Sequence, residues 1–408
     1  MIRKYAIIAL LIIFSSCQKS IDPNDVVLKF YGDVYEDIGY SVAKTDNGYV
    51  IAGQLTVVTR NGKVIDDNSV DSTKMGIIKT GKDGNVIWKK SFGVRTAVGS
   101  KVLVLDDGSI LCTGYVTGAD LKKDIFVVKL DANGTSQIQK SYSGDGNQYG
   151  IDIVKTSEGF MILGSTDAER LPVTDSTGNN KDKKDILLLR VNENLEQIKT
   201  NISGFPNNDV GVAIKPDING GYIIAGTTDR SEHKTEQAGN NIIILKVNSE
   251  GEFVQTRIIG KADDEYAAGL EVTNDGYVVP VTVGADGTNQ SGFVLKIPYD
   301  IFSTPVYGPD IVPATASTGT SYSINAISKY KTNSFVLAGQ TGTGTLAKML
   351  ILVVNADGTQ VEGKEKITGG TGSQIAYDVI SDIDDYIIAV GKNSYENNSM
   401  ISLLKFRF

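Results

Sequence analysis

The phrase GYVIAG at residues 48–53 returns along the chain as GSILCTG ending at Gly114, GFMILG at Gly164, GYIIAG at Gly226 and SFVLAG at Gly339. A recurrence of this kind limits the fold more than any other feature, because one supersecondary unit repeated in series cannot bury its apolar face alone and must stack on its neighbours. The spacing exceeds the roughly 40–45 residues of a WD repeat and is nearer the kelch length of about 50.

Each unit holds four short runs. The first reads GYSVAKT, DNG, YVIAG, a long loop, MGIIKTG, KDG and NVIWKKSFG. The second and third runs are almost wholly apolar, as in strands covered on both faces, whereas the first and fourth alternate, as in strands nearer a channel or an edge. Asn47-Gly48, Asp107-Gly108, Glu158-Gly159, Gly220-Gly221 and Asp275-Gly276 stand between the first and second runs. Asp83-Gly84, Asn133-Gly134, Glu250-Gly251 and Asp357-Gly358 stand between the third and fourth. Such pairs supply the positive φ that tight antiparallel hairpins require. Four-stranded antiparallel units in series are propeller blades.

The fifth unit has Pro280 and Val281 where Ala-Gly stands elsewhere, and a weak fourth strand around residues 303–307. The seventh, YDVISDIDDYIIAVG followed by MISLLKFRF, has three strands only. The missing one is at the other end of the chain: residues 26–31, VVLKFY, align with the fourth strands VIWKKSF and SQIQKSY. The expectation is an all-β, seven-bladed propeller over residues 26–408, closed by residues 26–31 beside residues 400–406. Closure removes the open sheet edges that invite aggregation. The terminal glycine of the phrase is expected to let the second strand turn into its loop.

The first residues give an address. MIRKYAIIALLIIFSSC has a basic start, an apolar core too short to span a bilayer with ease, and small residues before Cys17. Phe14-Ser15-Ser16-Cys17 resembles a bacterial lipobox. The resemblance implies a signal peptide over 1–16, acylation of Cys17, a tether over 17–25 and an outer-membrane lipoprotein, periplasmic or surface-exposed. The repeat is similar to that of secreted bacterial propellers common in the Bacteroidota, of the type DGGYVIAG…DIILLKLDxNGxxxWxKxxG. Trp88 matches its fourth-strand aromatic, and the other blades lack one. That group carries no single activity, so the likeness implies fold and habitat rather than chemistry.

The formal charge of −8, nearer −10 without Arg3 and Lys4, and the lack of a basic cluster argue against nucleic acid as partner. Cys112 lies in an apolar strand with no second cysteine beyond Cys17, which excludes a disulfide within the mature chain and reads as a buried thiol. The single histidine, His233, sits in a polar loop and cannot build a multi-histidine metal site. No GxSxG, phosphate loop or GxGxxG in its strand-to-helix setting occurs. Asp131-x-Asn133-Gly134 faintly echoes a calcium loop but runs straight into a strand, which favours a turn.

In a propeller the second-to-third loops and the links between blades share one face. The long loops at 54–74, 165–184 and 227–239 fall there, and the links add acids and tyrosines. Tyr35, Asp37, Asp145, Tyr149, Asp209, Asp263, Asp264, Glu265 and Tyr266 are therefore the candidate ligand residues. Aromatic faces beside carboxylates suit a carbohydrate, and a ring of acids suits a cation such as calcium. The expected function is a monomeric, membrane-anchored module binding a protein or glycan through this loop-rich face, with no catalytic set. The alternatives are a carbohydrate-active hydrolase or lyase using link carboxylates, testable by carboxylate separation, and a purely structural part of an envelope assembly.

Overall fold

The structure, a computed structural model, describes residues 26–32, 35–57, 73–168, 183–204, 208–229, 239–261, 263–284, 290–313, 321–382, 384–396 and 398–408. The leader, Cys17, the tether, His233 and most of the three long loops lie outside the described residues.

Seven antiparallel sheets follow one another. Blade one is Ile38–Thr45, Gly48–Thr56, Thr73–Gly81 and Val86–Phe92; blade two is Ala97–Val104, Ile110–Thr117, Lys123–Leu130 and Ser136–Tyr142. Blade three is Gln148–Lys155, Gly159–Thr166, Asp185–Asn192 and Gln197–Ser203; blade four is Asp209–Pro216, Tyr222–Thr228, Asn241–Val247 and Phe253–Ile259. Blade six is Tyr322–Lys331, Ser334–Thr341, Lys348–Asn355 and Gln360–Thr368. Blade seven is Ser373–Ser381, Ile387–Tyr395 and Asn398–Phe406, completed by the N-terminal strand Val27–Tyr31, which pairs antiparallel with the last strand from Val27 opposite Lys405 to Tyr31 opposite Ile401. The ring is thus closed by joining the two ends of the chain, and the molecule is a seven-bladed β-propeller.

The core lies between blades. Seven apolar clusters occupy the seven interfaces, one of them joining Val42, Tyr49 and Ile51 of blade one to Ile388, Val390 and Leu403 of blade seven. This is why the second and third strands read as continuous apolar runs: both of their faces are covered. Cys112 is fully buried between blades one and two, and burial pushes its thiol well above the usual range.

The recurrent terminal glycine has a different reason from the one expected of a loop entrance. Gly53 sits inside the strand Gly48–Thr56, and a Cβ there would lie 1.9 Å from the Ile38 carbonyl oxygen of the first strand. Gly114, Gly226, Gly339 and Gly391 meet the same oxygen of their own blades at 1.8–2.4 Å. In each of these blades the first strand carries a one-residue bulge next to this glycine, and the bulge brings its backbone onto the second strand.

Blade five shows what happens without it. Its first strand breaks into Glu265–Ala267 and Glu271–Val272, followed by Gly276–Val283, Ser291–Pro298 and a fourth strand reduced to Val306–Tyr307. The Pro280 carbonyl accepts the Ala268 N–H at 2.9 Å, so the proline nitrogen, which has no hydrogen to give, faces the same first strand. Pairing lapses at that point, and Val281 fills the place of the glycine.

Candidate functional site

The first strands surround the axis. In six blades their register slips by one residue, leaving Tyr40, Ser100, Ile151, Val212, Asn325 and Tyr377 unopposed. A bulge re-aims the side chains beside it. All six of these residues line one cavity of about 750 Å³, to which every blade contributes. Gln54, Tyr115 and Thr282, at the loop ends of their second strands, and Gln290, just before a third strand, place its mouth on the face that bears the long loops.

One side of the mouth is aromatic. Tyr377 and Tyr40 meet with ring centroids 5.3 Å apart, and Tyr115 and Tyr149 meet edge to face at 5.2 Å. Blades seven, one, two and three thus present an arc of phenols, while Val212, Ala267 and Ala268 of blades four and five leave the opposite side open, with Tyr266 at its edge. Burial, with smaller contributions from Tyr377, Tyr115 and Glu36, pushes the Tyr40 pKa up to about 12. Burial also raises Tyr115, Tyr149 and Tyr377. The arc therefore keeps its hydroxyl hydrogens at any physiological pH. Lys123 and Lys184 lie over the Tyr115 and Tyr149 rings, 5.4 and 5.8 Å from the centroids.

In blades one, two, three and seven the residue after the bulge (Ser41, Lys101, Asp152 and Asp378) takes part in a latch between blades. Asp378 of blade seven accepts the Val379 N–H on Oδ1 (3.0 Å). Its Oδ2 accepts the Val42 N–H (3.0 Å), the Ser41 hydroxyl (2.9 Å) and Lys101 Nζ (3.1 Å). Ser41 Oγ in turn accepts the Val102 N–H at 3.3 Å, carrying the contact from blade one to blade two. Asp152 of blade three accepts its neighbour Ile153 at 2.8 Å and Ile214 of blade four at 3.0 Å. Burial acts to discharge Lys101, but Asp378, Asp152 and Glu271 outweigh it and its pKa ends above the ordinary value. Its side chain keeps 36% of its surface, facing the cavity. Three residues deeper than the bulge, Lys215 pairs with Glu271 at 3.2 Å. The cavity is thus a tyrosine mouth over an ionic floor.

Of the residues marked in the links, Tyr266 lines the cavity and Tyr149 packs on its wall through Tyr115. Asp264 Oδ1 accepts the Asn240 N–H at 2.7 Å, and Asn240 Nδ2 donates to the Tyr266 hydroxyl at 2.8 Å, which sets that ring. Asp37, Asp209 and Glu265 occupy one register position in their blades and are almost completely buried, at 1%, 0% and 1% exposure. Asp37 Oδ1 accepts the Thr56 N–H at 2.6 Å, and Glu265 Oε2 accepts the Lys261 N–H at 3.2 Å. Burial raises the Glu265 pKa to about 7. Asp145 and Asp263 are exposed outside the cavity, and Tyr35 is half-buried, its carbonyl accepting the Ser399 N–H. None of the acids Asp37, Asp145, Asp209, Asp263 and Asp264 lines the cavity. Asp131 caps its own turn, taking the Asn133 and Thr135 N–H groups at 2.9 and 2.8 Å. Among the described residues no three His, Cys, Asp or Glu side chains cluster as metal ligands do.

Tyr40, Tyr115, Tyr377, Lys101, Asp152, Lys215 and Asp378 were not marked by the sequence. For Tyr40, Lys101, Asp152, Tyr377 and Asp378 the signal is faint: a ring or charge just inside the first strand, as in GYSV, GSKV, GIDI and AYDV.

No family model matches the chain, and no curated protein does. Solved structures resemble it at low identity. The hydrazine synthase of Kuenenia stuttgartiensis is 11% identical over 90% of this chain and 96% of that one, with a TM-score of 0.51. Raptor of Chaetomium thermophilum is 9% identical over 94% of this chain and 29% of that one, also at 0.51. The periplasmic gluconolactonase of Pseudomonas aeruginosa is 10% identical over 82% of this chain and 86% of that one, at 0.49. The first two likenesses speak to the fold alone, and the third carries no argument.

Proposed function

We propose that this chain is a lipid-anchored propeller of the cell envelope that binds a glycan in the tyrosine-lined cavity on its loop-bearing face. The leader supports acylation at Cys17 and residence at the outer membrane, in the periplasm or on the surface. The repeat phrases support a place among the secreted propellers of the Bacteroidota. The protein acts as a monomer, with no nucleic-acid partner.

One observation carries the binding reading: Tyr377, Tyr40 and Tyr115, with Tyr149 packed behind Tyr115, line a cavity of about 750 Å³, a volume within the range of ligand pockets. A phenol offers a flat apolar face and a hydroxyl edge, which matches a sugar ring with its C–H face and hydroxyl rim. Gln54, Gln290 and Asn325 add amide groups that can both donate and accept. A concave site of this size favours a glycan over a protein as ligand. Hydrolysis is the poorer reading, because a glycosidase needs one carboxyl group to give a proton and another free to act. Both oxygens of Asp152 and of Asp378 already accept backbone N–H groups.

The test is a glycan array probed with residues 18–408, alongside Tyr40→Ala and Tyr377→Ala. Each loss of a stacking ring is expected to weaken a bound glycan about tenfold, the equivalent of about 1.4 kcal/mol. A glycan held equally well by both variants places its site elsewhere.

A further inference from the structure

We infer that the strand closing the ring seats on a lipid surface through Val26, Leu28 and Phe30. The inference rests on the reading of Cys17 as an acylated anchor.

These three side chains stand on the outward face of the outermost strand of blade seven, at 46%, 48% and 44% exposure. The repeat supplies an internal control. Leu28 pairs with Leu404, and the residues at the same register position in blades one, two, three, four and six are Lys89, Gln139, Thr200, Thr256 and Glu365. All five are polar, and blade five places the half-buried Tyr307 there, opposite Leu295. Phe30 corresponds to Ser91 and Ser141 in blades one and two and to Ile202, Ile258 and Ile367 in blades three, four and six. The fold itself therefore does not call for an apolar residue at Leu28, and it is Leu28 that joins Val26 and Phe30 into one exposed stripe.

The apolar face also lies where the chain would leave the membrane. Residues 18–25 separate Cys17 from Val26, a reach of at most about 32 Å when fully extended. Alternate residues of a strand are about 7 Å apart, so the three side chains form a stripe about 13 Å long. That is too little for a stable protein interface, which takes about 800 Å² from each partner. It suffices as a second membrane contact beside an acyl chain. Seated on this edge, the propeller holds its axis along the membrane plane, and the cavity mouth opens sideways to the medium.

Bromine-labelled lipid tests the seating on the full-length chain carrying Trp88→Phe with either Phe30→Trp or Val254→Trp. Val254 is an exposed outer-strand residue of blade four, away from the seam. In vesicles of phosphatidylethanolamine and phosphatidylglycerol with brominated acyl chains, the tryptophan at 30 is expected to be quenched at least twofold more than that at 254. Mass spectrometry of the same preparation reads acylation of Cys17, so failure of the anchor and failure of the seating are told apart. The Cys17→Ser chain at high vesicle concentration is expected to show the same order of quenching. Adding Leu28→Gln to it should lower partitioning several-fold. Equal quenching at the two positions, or none at either, overturns the seating.

Discussion

The backbone N–H of Val42 binds the carboxylate of Asp378 at 3.0 Å across the seam where the last blade meets the first. The same oxygen takes the Ser41 hydroxyl and Lys101, so four groups from blades one, two and seven depend on one side chain, counting Val379 on the other oxygen. Replacing Asp378 by Ala leaves Lys101 without its nearest countercharge and the Val42 N–H without an acceptor. A loss of about 3 kcal/mol in urea unfolding is expected, the lower end for a broken buried pair because the Lys101 side chain is 36% exposed to the cavity. Lys101→Met in the Asp378→Ala background should recover part of it.

The glycine of the repeated phrase gives a second test. Gly53→Ala sets a Cβ 1.9 Å from a backbone oxygen, which no rotamer change relieves. A cost of about 3 kcal/mol is expected, the upper end for overpacking. Gly370→Ala meets nothing within 4 Å and should stay within about 0.5 kcal/mol of the parent in the same unfolding experiment.

These two positions also show what could be read in the sequence. The blades, their order and the closure by residues 26–31 follow from periodicity, which needs no knowledge of register. The role of Gly53 does depend on register, since only the bulge across the strand pair brings the Ile38 carbonyl onto it. The cavity was hidden for the same reason. Tyr40 and Tyr377 face the axis because a bulge leaves them unopposed, and an alternating pattern does not reveal a bulge. Asp37, Asp209 and Glu265 stood out as acids in links, but only coordinates distinguish an acid at the mouth from one buried under it.

Glu265 predicts a pH dependence. Burial raises its folded pKa from 4.5 to about 7, with Lys261 opposing and Asp263 adding to the shift. The folded chain holds this proton more tightly than the unfolded chain. Its stabilising contribution is complete below pH 4.5 and is lost as pH rises through 7. Between pH 5 and 8 the parent should lose stability relative to Glu265→Gln by on the order of 3 kcal/mol at most. Parallel unfolding curves of the two proteins across that range would refute the assignment.

Removing residues 26–31 should open the ring. The strand Asn398–Phe406 then becomes an unpaired edge, and the Tyr31 hydroxyl no longer reaches the Gly84 carbonyl of blade one. Hydrogen exchange of the Ile401, Leu403 and Lys405 amides should rise at least tenfold, and the truncated chain should associate through that edge in light scattering. Unchanged protection would mean that pairing across the seam contributes little.

The functional account stands on the phenol arc, and fluorine NMR reads it directly. With 3-fluorotyrosine incorporated and resonances assigned by Tyr→Phe variants, a glycan selected on the array is expected to shift Tyr40, Tyr115 and Tyr377. Tyr330, near the hairpin turn on the opposite face, should stay in place. Movement at Tyr330 with the three axial tyrosines unmoved, or a broad array on which no glycan binds, would contradict the account.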